Sequence, residues 1–260
     1  MKNKTVYAAL SADLLHEGHI NIIKKASELG ELTVGVLTDK AIASYKRLPY
    51  QDYEKRKTIV ESIKGVHKVI KQETHDYESN LREIKPNIVV HGDDWKEGIQ
   101  KNIREKVVKT LSEWGGELVE FPYTDGVSST MINNELKSLG ITSENRRKRL
   151  KRLINSKDLV RFIEGHNGLS ALIVEKLSID ENGKKIEFDG IWSSSLTDST
   201  SRGMPDIEAV DISTRLQTIN EITQCTTKPI IFDGDTGGKL EHFGFTVRSL
   251  ESVGVSSVII

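Results

Sequence analysis

The segment Asp13-Leu14-Leu15-His16-Glu17-Gly18-His19 sets two imidazoles on either side of a glycine, close to a carboxylate. Imidazoles at that spacing can aim two hydrogen-bond donors at one anion, and Gly18 lets the backbone approach it closely. The zinc-protease pattern is different, because it needs histidines four apart on one helical face with Glu between them. Val6 to Leu10 is an apolar run that predicts a buried strand, while Ile20, Ile22, Ile23, Ala26 and Leu29 predict the apolar face of a helix. The histidines then fall on a strand-to-helix turn, where free N–H groups and the positive end of the helix dipole gather. An anion such as a phosphate is the expected ligand.

The 260 residues are 37% hydrophobic and 29% charged, a composition of globular domains at a length that favours two of them. Lys and Arg total 37 against 38 Asp and Glu, a net charge of -1, so no global field draws the chain to nucleic acid or to a membrane. Cys225 is the single cysteine, which excludes an intramolecular disulfide and suits a reducing compartment, so a cytoplasmic location is expected. The N-terminal pattern is neither a signal peptide nor a membrane span.

Residues 1–140 alternate strand and helix patterns, the rhythm of a doubly wound, Rossmann-like parallel sheet. Strands are expected at Val6 to Leu10, Leu32 to Leu37, His67 to Ile70, Ile88 to His91 and Glu117 to Phe121. Helices are expected near Ile20 to Leu29, Tyr53 to Ile63, Glu78 to Ile84, Ile99 to Trp114 and Thr130 to Leu139. Ligands of such sheets bind beyond the carboxyl ends of the strands, where His16 and the segment His91 to Asp94 fall. Residues 141–152 carry Arg146, Arg147, Lys148, Arg149, Lys151 and Arg152, which predict a solvated basic linker or a helix start. A second α/β unit spans residues 153–260, with strands at Leu159 to Ile163, Gly190 to Trp192, Pro229 to Phe232 and Ser256 to Ile260. Helices are expected between them at Ser170 to Leu177, Glu208 to Thr223 and Phe245 to Val253. The closing Val258-Ile259-Ile260 has no polar tail, a pattern expected of a sequence cut short.

Three segments in order carry a resemblance over residues 1–140: Ala12 to His19, then Val90-His91-Gly92-Asp93-Asp94-Trp95, then Thr124-Asp125-Gly126-Val127-Ser128-Ser129-Thr130. Together they resemble cytidylyltransferases of the glycerol-3-phosphate and ethanolamine-phosphate type. The resemblance implies attack of a phosphate or phosphonate oxygen on the α-phosphorus of CTP with loss of pyrophosphate, screened by Mg²⁺. In that reading His16 and His19 donate to the transferring phosphoryl oxygens, and Lys46 and Arg56 hold the triphosphate or the acceptor. Asp13 and Asp94 serve the acceptor and nucleotide sides, with Gly18 beside the phosphates, and Ser128, Ser129 and Thr130 supply donors to the triphosphate. His67, His75 and His242 receive no role. Two positions depart from the family pattern: Leu10-Ser11-Ala12 stands where Gly-Thr-Phe is usual, and Tyr123 where Arg is usual.

Residues from about 150 onward resemble the N-terminal half of phosphoenolpyruvate mutase, a (β/α)₈ barrel of the isocitrate lyase superfamily. The matching pieces are Glu164 to Ala171, Phe188 to Ser195, Gly203-Met204-Pro205-Asp206 and Phe232-Asp233-Gly234-Asp235-Thr236-Gly237-Gly238. By that resemblance Asp233 and Asp235 bind Mg²⁺, Trp192, Ser193 and Ser194 hold the substrate, phosphoenolpyruvate or phosphonopyruvate, and Asp206 lies over the transferring group. A whole barrel takes about 250 residues, so this part is expected not to catalyse alone. The combined expectation is a homo-oligomeric fusion enzyme of phosphonate biosynthesis that cytidylylates a phosphonate or phospho-alcohol. The alternatives are a glycerol-3-phosphate cytidylyltransferase with a non-catalytic second unit, and a non-catalytic nucleotide-binding scaffold. Because a guanidinium pairs bidentately with phosphate and a phenol cannot, Tyr123→Arg is expected to tighten CTP binding in a calorimetric titration. Weaker binding would mean that the triphosphate site is built around Tyr123.

Overall fold

The computed structural model describes residues 4–96, 100–122, 141–181 and 184–260, and the expected helix at Thr130 to Leu139 lies outside them. The chain divides into two compact units, Met1–Ile132 with Asp180–Lys185, and Asn133–Ile179 with Ile186–Ile260.

In the first unit β1 (Thr5–Leu10), α1 (Glu17–Leu29), β2 (Glu31–Leu37), α2 (Asp39–Ala43), α3 (Tyr53–Glu61) and β3 (Val66–Gln72) follow one another. Then come α4 (Glu78–Ile84), β4 (Ile88–Gly92), a 3-10 turn (Asp93–Lys96), α5 (Gln100–Ser112) and β5 (Glu117–Phe121). The sheet order is β3-β2-β1-β4-β5, with every pairing parallel. Buried side chains alternate along β1: Val6 and Ala8 join the core with Ile23, Ala26 and Val60 of α1 and α3. Tyr7 and Ala9 join Leu81, Val107 and Leu111 of α4 and α5. Both faces of the strand are therefore covered, which is why it is apolar throughout. After β3 the chain crosses back to the other side of β1, so the strand order reverses between β1 and β4. Ligands of open α/β sheets bind at that switch point. α2, which the sequence pattern did not predict, is one short turn capped by Thr38, whose hydroxyl accepts from Ala41 N–H at 3.0 Å.

The interior of this sheet has one polar knot. Tyr7 donates its hydroxyl to Gln72 Oε1, and Asn80 Nδ2 donates to Tyr7 Oη at 3.1 Å and to Gln72 Oε1 at 2.8 Å. Gly35 makes room for it, because a Cβ at that position would stand 2.0 Å from Tyr7 Oη.

The second unit opens on α6 (Ser143–Ser156). The run expected to be a solvated basic linker or a helix start is this helix, and Arg146 and Arg149, rather than being solvated, are buried on its inner face with Leu150 and Leu153. Arg146 donates to the carbonyls of Thr223 and Thr226 at 2.8 Å each. Those carbonyls belong to the end of a later helix, and binding them satisfies orphan acceptors. β6 (Phe162–Glu164), α7 (Gly168–Lys176), the paired β7 (Ile179–Glu181) and β8 (Lys184–Ile186), whose residues Asp180–Lys185 group with the first unit, β9 (Gly190–Ser193) and α8 (Ser195–Ser201) come next. α9 (Ile212–Cys225), β10 (Ile230–Asp233), α10 (Leu240–Ser252) and β11 (Ser257–Ile259) complete the unit. The β7–β8 pair and α8 are additions to the expected pattern. The four-stranded sheet runs β6-β9-β10-β11, all parallel and in chain order. That progression without a switch point is how successive strands of a (β/α)₈ barrel are laid down, and it differs from the doubly wound first unit. Among the described residues no helix is long and apolar enough to cross a membrane.

Arg56 is fully buried. Its guanidinium donates to the carbonyls of Ser11 at 2.5 Å, Leu37 at 2.7 Å and Gln51 at 3.1 Å, and to Asp39 Oδ1 at 2.7 Å. One side chain on α3 thus joins the ends of β1 and β2, the start of α2 and the approach to α3. Breaking a buried pair on one side costs about 3–5 kcal/mol, so Arg56→Met is expected to lose that much stability. Urea unfolding in a Trp192→Phe background, where Trp95 and Trp114 of the first unit report, is the measurement. A loss below about 1 kcal/mol, the range of exposed pairs, would contradict this role.

Candidate active site

The loop leaving β1 is strained, with Ala12 and Leu14 at φ of 52° and 51°. Left-handed backbone at residues other than glycine is uncommon and clusters at functional sites. The loop delivers His16 to the N-cap of α1. His16 Nδ1 accepts the Gly18 N–H at 3.2 Å, and His19 Nδ1 accepts the His16 N–H at 3.4 Å. The two imidazoles therefore do the work usually done by Ser or Thr and Glu in a capping box. The consequence is chemical: with both Nδ1 atoms accepting, the ring proton of each neutral imidazole lies on Nε2. The rings lie 4.1 Å apart between centroids. Burial lowers the pKa of His16. Burial, then the charges of His16 and Lys46, push His19 down to about 4. At neutral pH the turn presents two uncharged N–H donors.

Lys46 is the cation beside them. Its side chain keeps an exposed surface yet is crowded by neighbouring protein atoms. That crowding lowers its pKa, Asp13 opposes the shift and Arg56 adds to it. Lys46 Nζ lies 3.4 Å from Ser11 Oγ. Asp13, expected to serve the acceptor, accepts the Tyr50 and Gln51 N–H groups at 3.0 and 3.2 Å and so ties the loop before α3 to the loop after β1. Arg56, expected to hold phosphate, is turned into the protein as described above. Its role here is to position Ser11 and the loops around the cleft. Ser128, Ser129, Thr130 and Tyr123, and the side chain of Asp94, lie outside the described residues.

Sequence reasoning passed over His75. Its ring stacks on Tyr45 with centroids 3.7 Å apart and planes 12° apart. Burial first, then Lys46, push its pKa down to about 4, against the opposing charge of Asp76, and His91 lowers it further. His91, at the end of β4, stacks on Trp95 at 3.7 Å, and its Nδ1 lies 2.8 Å from the Gly92 carbonyl. Trp95 Nε1 donates to Glu120 at 2.7 Å, and Arg104 pairs with the same carboxylate. No periodicity marks a lone loop histidine, and only the sheet brings it to Tyr45.

In the second unit Asp233 ends β10. Its Oδ1 accepts the Asp235 N–H at 3.2 Å, and its Oδ2 accepts the Ser195 hydroxyl at 3.1 Å. Asp235, at φ 51°, pairs with buried Arg215 at 3.0 Å. Arg215 also lies 3.3 Å from Asp198 and 4.1 Å above the Phe232 ring. Ser193 and Ser194 are buried beside this turn, and Ser194 caps α8, while Trp192 is half-buried. Asp206 lies in an exposed turn with no hydrogen bond among the described residues. The described residues contain no group of three or more His, Cys, Asp or Glu able to hold a metal. Two carboxylates at a strand end nevertheless suit Mg²⁺, which keeps several waters and takes one or two carboxylates together with substrate oxygens.

Residues 11–135 match the cytidylyltransferase-like family. Over 141 residues the chain is 32% identical to glycerol-3-phosphate cytidylyltransferase of Bacillus subtilis, an overlap of 54% of this chain and 100% of that protein. The chain belongs to the cytidylyltransferase-like family. FAD synthase of Methanopyrus kandleri is 32% identical over 117 residues, 44% of this chain and 74% of that protein. Residues 150–260 match the phosphoenolpyruvate phosphomutase family. Over 129 residues, 49% of this chain, it is 37% identical to phosphoenolpyruvate phosphomutase of Tetrahymena pyriformis, and it spans 40% of that protein's length. A cytidylyltransferase-like unit and a phosphomutase-like unit are thus fused in one enzyme chain.

The low pKa values of His19 and His75 have a stability consequence with a definite sign. Unfolded, both rings titrate near 6.5; folded, both titrate near 4. Between those values the unfolded chain binds more protons, so these rings weaken the fold as pH falls from 6.5 towards 4 and have no such effect above 6.5. An NMR titration of the ligand-free protein is expected to place both midpoints near 4. A midpoint near 6.5 for either ring would contradict its burial.

Proposed function

We propose that the first unit transfers CMP from CTP to a phosphonate or phospho-alcohol, with release of pyrophosphate. The observation that carries this reading is the pair of neutral Nε2–H donors of His16 and His19 at the start of α1, beside Lys46. An acceptor oxygen forms the new bond to the α-phosphorus as the bond to the β-phosphate bridging oxygen breaks, and the electron pair leaves with pyrophosphate. Such a reaction needs positioning and charge stabilisation more than a covalent nucleophile. Uncharged imidazole donors suit it, because they stabilise developing charge without surrendering a proton. Lys46 would neutralise phosphate charge, Gly18 would keep the helix start open, and Asp13 would hold the cleft's wall. Mg²⁺ would arrive on the triphosphate and screen the leaving pyrophosphate. The nucleotide-side role of Asp94 and the triphosphate donors Ser128, Ser129 and Thr130 remain part of the proposal.

The second unit is proposed to belong to a phosphoenolpyruvate mutase acting on phosphoenolpyruvate or phosphonopyruvate. Asp233 and Asp235 would hold Mg²⁺ there, which when bound orients and polarises an anionic substrate. Trp192, Ser193 and Ser194 would face that substrate, with Asp206 over it. The pairing supports a role in phosphonate biosynthesis, since one unit would make a carbon–phosphorus bond and the other would activate a later phosphonate. We place the protein in the cytoplasm, on its single cysteine, and expect it to be a homo-oligomer.

Pyrophosphate release with CTP and Mg²⁺ tests the reading, with 2-hydroxyethylphosphonate and glycerol 3-phosphate as acceptors. CTP is expected to be preferred to ATP, and equal turnover with ATP would remove the cytidylyl assignment. His16→Ala and His19→Ala are each expected to lower kcat by about 10² or more, as for loss of a donor to transition-state charge. Unchanged rates in both variants would make the turn purely structural.

A further inference from the structure

Among the described residues near Lys46, His75 is a chemistry-bearing side chain that the proposed transfer leaves without a task. Neither of its ring nitrogens has a hydrogen-bond partner among the described residues, and neither is sealed from solvent. A half-buried imidazole held in place with both nitrogens unengaged is set to meet a ligand. Its placement is well determined. Gln72 Nε2 donates to the carbonyls of Thr74 at 2.9 Å and Asp76 at 2.6 Å, and Thr74 Oγ1 donates to Asp76 O at 2.9 Å. The Gln72 amide is itself gripped by Tyr7 and Asn80 in the buried knot. The loop bearing His75 is therefore pinned from the core, and its ring is pinned from the side by the parallel stack on Tyr45.

The surroundings specify the ligand's charge. Lys46 Nζ lies 5.3 Å from the centroid of the Tyr45 ring, so the ammonium and the Tyr45–His75 stack share one wall. The charge of Lys46 acts on both His19 and His75, so one ammonium lies near both imidazoles. One cation near imidazoles on two different loops can serve two anions: the nucleotide α-phosphate at the His16–His19 turn and a second anion at the Tyr45–His75 stack.

We propose that His75, on its Tyr45 platform, binds the dianionic phosphonate or phosphate group of the acceptor and with Lys46 presents it to the nucleotide. The proposal rests on the nucleotidyl-transfer reading for its second anion, though not for the binding itself. An imidazole N–H donates to one acceptor oxygen, Lys46 neutralises charge, and the flat stack limits the space for the acceptor's carbon chain. Phosphonates and phosphate monoesters share the recognised chemistry.

Two measurements test it. Hydrogen bonds to charged groups are worth about tenfold or more in binding, so His75→Phe, which keeps the stack and removes the donors, is expected to raise the acceptor KM about tenfold. The KM for CTP should stay within about twofold, and His75→Asn, which keeps a donor, should recover part of the loss. Equal changes in both KM values, or none, would overturn the assignment. The second measurement needs no turnover: in the wild-type protein, saturating methylphosphonate is expected to shift the His75 ring resonances and raise its pKa by about one unit or more. Glycerol 3-phosphate in a parallel titration tells which source is preferred. A His75 ring unmoved by both compounds would overturn the proposal even if pyrophosphate release is found. Conversely, no pyrophosphate release with any acceptor, alongside a shifted His75, would remove the transfer reading and leave the anion site standing.

Discussion

The buried guanidinium of Arg56 is the constraint on which the first unit's cleft depends. A parallel sheet leaves its strands' carboxyl ends as loose carbonyl-bearing loops, and a ligand site there has to be held by something other than the sheet. Arg56 takes carbonyls from the ends of both β1 and β2, together with the Asp39 carboxylate and the Gln51 carbonyl. Asp13 reaches the same region from the opposite direction through Tyr50 and Gln51. The two opposite charges are thus used as fasteners on neighbouring loops. This leaves Lys46 as the cation that faces the cleft, with the imidazoles of His16, His19 and His75 around it.

Much of this was legible in the sequence, for local reasons. The five strands of the first sheet lie where the sequence pattern predicts them, and the central ones, β1, β2 and β4, are buried along most of their length. The histidine turn was legible because its residues are consecutive. Arg56 was not, because a basic residue in a short helix pattern looks the same whether it points out to phosphate or in to carbonyls. The basic run after residue 141 carried an unused signal: Arg146, Arg149, Leu150 and Leu153 have the i, i+3, i+4, i+7 spacing of one helical face. Charge count hid it. His75 had no local signal, since its partner Tyr45 belongs to a different loop and the two meet only through the parallel alignment of β2 and β3.

The two units solve the same packing problem in opposite ways. In the first, the chain reverses its direction across the sheet between β1 and β4, and the His16–His19 turn lies at the carboxyl end of β1 beside that reversal. In the second, strands advance in one direction and the carboxylates of Asp233 and Asp235 gather at the end of a single strand, steadied by Arg215 and Ser195. The first arrangement suits two anions side by side. The second suits one small anion over a hydrated cation.

The missing Cβ of Gly35 reaches further than its own strand. Tyr7 fills that space with its hydroxyl, and from there the contacts run through Gln72 to the Thr74 and Asp76 carbonyls that set the His75 loop. A methyl group at position 35 would collide with the phenol, loosen the amide and unsettle a ring at the cleft without touching any ligand. With His75 in its proposed role, substrate choice in this unit would be partly written in the sheet's interior, and a search for its determinants confined to the cleft's lining would miss the residue that has no side chain at all.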